Sequence, residues 1–433
     1  MRKNMEKKNF HVLHAHASRE NVGDDAIVIA IQKILQRANP DQSLSYTTLC
    51  SDNRSREKFV TNYMHLYTVH SPSKWINLLQ EYKNADLVVI GGGELICGAL
   101  EYLMLLPLAK IFRIPIVFLG VGADRHGMSF LTENYTRHTL KLADKILVRD
   151  NSAYEVIKSF NTPSEKINVT ADVVFALYKD RPIEPTKSGI GVCLRSTQRD
   201  DRALTRERLE VLAQYITKQS EELNCDIHLF PFIPYATDAS GSKLEIDDEF
   251  KFGLPYSDQA IMDKLYELLP NKERVVMNAP LEHPEEIIEK LAQLNYIISM
   301  RLHALILSGL AGTQFIAVNY ADKIARVMTE LGVGDQVIPI SALDSLEKVE
   351  TTISKLPTLN SEKLKSSLSS LNSEALKNAD IIKDIIKNAP RKRATIASYA
   401  LAIPFLLINS LYFWLVNSKN PILIKLIRLL KRK

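Results

Sequence analysis

The sequence predicts an α/β protein, with two doubly wound parallel sheets in series and then a hydrophobic, basic tail that associates with a membrane. Three observations predict it. Short apolar runs of strand length alternate with helical patterns from residue 10 to residue 340. Several of those runs end in glycine, arginine or aspartate just where a helix pattern takes over. Finally, residues 394–416 contain no charged side chain at all.

With 433 residues, the chain has room for two domains of ordinary size. A hydrophobic share of 46% beside a charged share of 24% excludes a disordered chain. The cysteines, Cys50, Cys97, Cys193 and Cys225, are far apart and form no CxxC pair. They read as reduced thiols of a cytosolic compartment, not as a disulfide frame or a zinc site. The opening MRKNMEKKNF is charged and runs straight into a strand pattern, so no signal peptide is expected. Net charge is +5, but residues 391–433 hold nine of the 55 Lys/Arg and no Asp/Glu. The remainder keeps 46 basic against 50 acidic residues. A mildly acidic body with a basic tail argues against nucleic acid as a partner and for an anionic surface met by the tail.

In the first half, 10–14 reads as a strand and is followed by a turn, Asn21, Gly23, Asp24 and Asp25, into a helix carrying Ile27, Ile29, Ile31 and Leu35. Asp24 and Asp25 suit a helix start for capping and dipole reasons. They equally suit a lip facing an interdomain cleft, where a carboxylate takes a proton from a sugar hydroxyl. After a strand at 45–50 and a helix at 75–82, the strand 87–90 opens into Gly91, Gly92 and Gly93 before a helix expected over 94–106. Three glycines there let backbone N–H groups approach a ligand, or else serve a tight turn with close helix packing. The spacing is not GxGxxG, so no dinucleotide fingerprint is read. Strands follow at 116–119, 145–148 and 167–174, and Arg149–Asp150 reads as an ion pair and helix cap. Residues 180–188, with two prolines, read as the linker between domains spanning 8–180 and 189–343.

In the second half, the strand 189–195 delivers Arg195 to its carboxyl end. A helix at 205–223, a strand at 226–232, an acidic loop at 238–248, a strand at 274–277 and a helix at 284–294 follow. Most informative is 296–323, in which a buried strand (296–299) turns directly into Arg301, Leu302 and His303. A small apolar helix and a second strand (314–318) then lead to Tyr320 and Lys323. Open α/β sheets bind ligands at the carboxyl edge, and helix starts favour anions. A guanidinium matches phosphate or carboxylate bidentately, and imidazole moves protons near neutral pH. Arg195, Arg301 and Lys323 thus form a candidate anion site with His303 beside them. A strand at 336–340 precedes a helical closing segment, 344–390, part of which is expected to pack back on the first domain. No metal-ligating cluster is present in the sequence, and no cofactor is implied.

Asn21-x-Gly23-Asp24-Asp25-Ala26, the Gly91–Gly92–Gly93 strand end, Val148-Arg149-Asp150 with Ser152, and Arg301-Leu302-His303-Ala304 with Tyr320 and Lys323 occur in that order. Together they resemble the polysaccharide pyruvyl transferase family over roughly residues 10 to 340. The resemblance implies two Rossmann-like domains in a GT-B-like arrangement facing each other across a cleft. It also implies transfer of the carboxyvinyl group of phosphoenolpyruvate to two hydroxyls of a sugar, giving a pyruvate ketal and phosphate. On that reading His303 is the general acid, Arg301 and Arg195 bind the donor, and Asp24 or Asp25 is a base on the acceptor side. A nucleotide-sugar glycosyltransferase would need a ribose-binding carboxylate after Tyr320, where only Asp322 and Glu330 stand. A catalytically inactive glycan-assembly scaffold would have no use for Arg301, His303 and Lys323 together.

The tail, 391–433, brackets its uncharged stretch with Arg391-Lys392-Arg393 and with the basic amphipathic end ILIKLIRLLKRK. That stretch is long enough to span a bilayer, which takes about 20 residues. Basic flanks on both sides, with Pro404 and Asn409 inside, favour a monotopic or re-entrant anchor on the cytoplasmic leaflet. An enzyme held there would meet a lipid-linked glycan.

Overall fold

The computed structural model describes residues 9–15, 21–50, 62–65, 72–97, 100–126, 128–180, 188–195, 203–234, 257–280, 283–388 and 395–417. Its strands are β1 (Asn9–Ala15), β2 (Ser43–Cys50), β3 (Asn62–His65), β4 (Leu87–Ile96), β5 (Ile116–Ala123), β6 (Lys145–Val148), β7 (Ile167–Val169), β8 (Ile190–Cys193), β9 (Ile227–Leu229), β10 (Val275–Met277), β11 (Tyr296–Ser299), β12 (Gln314–Asn319) and β13 (Val337–Pro339). Its helices are α1 (Val22–Ala38), α2 (Trp75–Asn84), α3 (Leu100–Leu103), α4 (Leu105–Ile111), α5 (Phe130–Thr139), α6 (Asn151–Lys158), α7 (Arg206–Leu223), α8 (Asp258–Leu268), α9 (Pro284–Ala292), α10 (Leu302–Leu310), α11 (Asp322–Glu330), α12 (Leu346–Ser354), α13 (Ser361–Asn388) and α14 (Ile396–Asn417).

Two compact units result. The first comprises Met1–Ser18, Ile27–Ala176 and Glu374–Lys433, and the second Arg19–Ala26 with Leu177–Ser373. Packing therefore assigns the Asn21–Asp25 turn to the second unit, although chain order puts it in the first half. The first unit's sheet runs β3-β2-β1-β4-β5-β6-β7, the second's β10-β9-β8-β11-β12-β13. Every strand pair is parallel. Parallel strands covered on both faces need continuous apolar sequence, and Leu87 to Ile90 of β4 are all fully buried. Some helices start on side-chain caps: Asp150 accepts from the Ala153 N–H at 2.7 Å, and Thr205 from that of Arg208. Arg149 also lies 3.5 Å from Asp150, as the ion-pair reading requires.

Several elements depart from expectation. β4 does not stop at Ile90; it runs through the glycines to Ile96, pairing Gly91 with Leu119 and Gly93 with Val121. No helix occupies 94–96; α3 begins at Leu100. The glycines are needed for packing. A Cβ on Gly91 would lie 2.4 Å from the Leu119 carbonyl oxygen, and one on Gly92 (φ +56) 1.9 Å from Ile27. The strand expected over 167–174 ends at Val169, because Asp172 turns the chain, its Oδ1 accepting from the Val174 N–H at 3.1 Å. The strand expected over 226–232 is likewise cut to Ile227–Leu229, ahead of Pro231, which has no N–H for a ladder. β3, α5, α8 and α11 have no counterpart in the sequence reading. The linker at 181–187, the loop at 238–248, and 391–394 and 418–433 of the tail lie outside the described residues.

The uncharged tail is a helix docked by one face. Ala402 and Leu406 of α14 are fully buried in the first unit's core, and Tyr399 meets Phe112 edge-on at 5.5 Å. Among the described residues, no helix is long and apolar enough to cross a membrane.

Candidate functional site

The second sheet changes winding direction between β8 and β11, its topological switch point, where open α/β sheets take their ligands. The two strands pair in register, Cys193 opposite Ser299, and each releases an arginine two residues later: Arg195 and Arg301. The turn after β11 is pinned. Ser299 Oγ accepts from the Arg301 N–H at 3.0 Å, and Met300 N–H donates to the Cys193 carbonyl at 2.9 Å. Arg301 stays extended (φ −88, ψ 123), and α10 starts at Leu302. That helix is apolar on all sides and buried from Ala304 to Leu310, which holds its first turn rigidly at the sheet edge.

Arg301 is gripped by a residue that sequence reasoning missed. Asp258, the fully buried first residue of α8, takes Nε at 2.8 Å and also binds Nη2. The Ile233 carbonyl accepts from the backbone N–H groups of Asp258 and Gln259, both at 3.1 Å, which fixes this acid. Burial pushes the Asp258 carboxyl up, against the pull of Arg301. Burial also opposes the charge on Arg301, but Asp258 outweighs it and holds the guanidinium above its ordinary value. The sequence reading gave Arg301 wholly to an anion, whereas two of its nitrogens belong to Asp258. In sequence, Ser257-Asp258 resembles any capped helix start, and Ser257 does cap α8.

Arg195 has a different support. Its Nη1 donates to the Tyr320 hydroxyl at 2.8 Å, and its guanidinium carbon sits 5.0 Å from that ring's centroid. Tyr320, at the end of β12, is buried. The hydroxyl and the ring face of Tyr320 together orient the Arg195 guanidinium. Lys323 lies half-buried in the first turn of α11.

The Asn21–Asp25 turn comes to the same edge. The Val22 N–H donates to the Phe232 carbonyl at 3.1 Å, just before Ile233, the residue that holds α8. Asn21 shapes the turn: its Oδ1 accepts from the Gly23 N–H at 2.9 Å and its carbonyl from the Asp25 N–H at 3.0 Å. Gly23 packs directly on His303, so that a Cβ there would fall 2.3 Å from Nδ1. The glycine is required by proximity, not by backbone angle. Asp24 follows half-buried, and Asp25 is buried. Two motifs nearly three hundred residues apart in sequence are therefore in contact. Gly91, Gly92 and Gly93 stand in the other unit, within β4. Among the described residues, no group of three or more His, Cys, Asp or Glu is placed to hold a metal ion.

This architecture is shared by solved UDP-GlcNAc 2-epimerases and a glycosyltransferase. UDP-GlcNAc 2-epimerase from Methanocaldococcus jannaschii is similar with a TM-score of 0.57 and 11% identity, covering 88% of this chain and 100% of that one. The Neisseria meningitidis UDP-GlcNAc 2-epimerase bound to UDP-GlcNAc gives 0.53 at 12% identity over the same shares. A Rickettsia africae glycosyltransferase gives 0.52 at 11% identity, again over 88% and 100%. Such low identity shows the fold alone: two parallel-sheet α/β domains of the GT-B-like kind. No curated protein sequence matches. The family model for polysaccharide pyruvyl transferase matches residues 21–322, from the Asn21 turn to the first residue of α11. The chain belongs to the polysaccharide pyruvyl transferase family.

Proposed function

We propose that the protein transfers the carboxyvinyl group of phosphoenolpyruvate onto a sugar of a surface polysaccharide or its lipid-linked precursor, forming a pyruvate ketal. The observation that carries this reading is the packing of His303 on Gly23, at the sheet edge where Arg195 and Arg301 emerge, in a chain of this family. Phosphoenolpyruvate carries a phosphate and a carboxylate, and arginines recognise both with charge-assisted hydrogen bonds. Arg195, oriented by Tyr320, and Arg301, through the Nη1 that Asp258 does not take, are the donor-binding arginines. Lys323, Asn21, Gly23 and Tyr320 complete the binding set.

In the reaction a sugar hydroxyl adds to C2 while His303 gives its proton to C3, turning the methylene into a methyl group. Asp24 or Asp25 takes the hydroxyl proton. The C2–O bond to phosphate then breaks, inorganic phosphate leaves carrying the proton that the carboxylate took, and a second hydroxyl of the same sugar adds to C2. Its proton returns to the now neutral His303, which restores the acid. Asp24, next to Gly23, and the buried Asp25 are the carboxylates nearest in sequence to that contact.

Phosphate release from phosphoenolpyruvate, measured with a panel of free and lipid-linked sugars, tests this reading. Release should require an acceptor and should fall about a hundredfold or more in His303→Ala. Absence of release with every acceptor, together with tight binding of a nucleotide sugar, would replace it with glycosyl transfer.

A further inference from the structure

The geometry points to α14 as the face by which the protein lies on an anionic lipid bilayer, independently of the reaction catalysed. α14 has two apolar faces. Ser398, Ala402 and Leu406 recur every fourth residue and are buried against the first unit, with Tyr399 and Phe405 partly buried beside them. On the opposite face Ile396, Leu401, Ile403, Leu407, Ile408 and Leu411 are exposed, Ile396 by 90% and Ile408 by 67%. A helix that faced water would carry charge there, and residues 394–416 carry none. Exposed apolar surface concentrated on one helix, not scattered singly, marks a contact surface.

The occupant follows from charge. Arg391, Lys392 and Arg393 precede the helix, and Lys419, Lys425, Arg428, Lys431, Arg432 and Lys433 follow it, with no acidic residue from 391 to 433. Apolar side chains flanked by cations suit acyl chains beneath anionic headgroups. A second copy would bring the same nine cations in this segment and no acid to pair with them. The docked face decides between lying on the bilayer and crossing it. With Ala402 and Leu406 fully buried in protein, α14 cannot be surrounded by lipid, so it lies in the interface plane.

Co-sedimentation of the full chain with phosphatidylcholine vesicles, with and without phosphatidylglycerol, tests the inference. The protein should sediment with the anionic vesicles, and the double variant Leu407→Glu/Ile408→Glu should bind them roughly tenfold more weakly or worse. Its melting temperature should be unchanged, because both side chains point away from the core. Leu223→Glu, an exposed leucine of the second unit, should bind like the parent. A second variant, Lys431→Gln/Arg432→Gln/Lys433→Gln, guards against misfolding and should lose binding selectively on the anionic vesicles. Parental binding by both variants would overturn the proposal. So would a dimer in solution that Leu407→Glu splits while no vesicle is bound, since the face would then belong to a second copy.

Discussion

At the scale of single residues, two positions shape the candidate site around Arg301 and His303. Asp258 faces Arg301 with both oxygens in a fully buried position, so Asp258→Asn leaves a guanidinium desolvated and uncompensated. Removing one partner of a buried pair costs roughly 3–5 kcal/mol. Denaturant unfolding should show that loss, and in whatever protein stays folded KM for phosphoenolpyruvate should rise more than kcat falls. Gly23 acts by its lack of a side chain. Gly23→Ala puts a methyl group 2.3 Å from His303 Nδ1, and either the ring or the turn must move. Overpacking of this kind costs about 1–3 kcal/mol. Turnover should drop, because the ring that gives the proton is displaced; unaltered kcat would show that the seat of His303 is not needed for catalysis.

At the scale of elements, legibility depended on whether the physics was local. β11, α10 and β12 were readable because a buried parallel strand and a mostly apolar helix are near-continuous runs bounded by polar residues. β4 was misread for a physical reason. Glycine after a strand usually ends it, but β5 extends beside β4 as far as Ala123 and keeps the glycines paired. Their absent side chains make room for Ile27 and the Leu119 carbonyl, partners that no local pattern announces. Gly92→Ala must place a Cβ 1.9 Å from Ile27 at φ +56, and should destabilise the protein by about 1–3 kcal/mol or more. Thermal unfolding measures this directly, and an unchanged melting temperature would argue that α1 shifts freely on β4. α8 was invisible in function for the converse reason: its acid looks like a cap until the partner 43 residues away is in view.

For the whole molecule, alternation of strand and helix was enough to anticipate two parallel sheets, and the charge split was enough to separate body from tail. Assignment of Arg19–Ala26 to the second unit was not legible, because it depends on Val22 meeting Phe232 and Gly23 meeting His303. The candidate site was half legible. Each cation could be named from its place after a strand, yet Asp258, which takes two nitrogens of one of them, could not. The same charge split predicts how vesicle binding responds to salt. A contact that draws on nine basic residues should weaken steeply as ionic strength rises, since screening shortens to about 8 Å near physiological salt.

The pairing of β8 with β11 has a consequence for how the protein is made. β8 leaves the ribosome about a hundred residues before the strand that will lie beside it. At the usual pace of translation, about 5–20 residues per second, that is a wait of roughly 5–20 seconds. Until β11 emerges, one edge of β8 is unpaired and Arg195 has no Arg301 for a neighbour. The chain order that brings two distant arginines to one sheet edge thus leaves a strand edge open during synthesis.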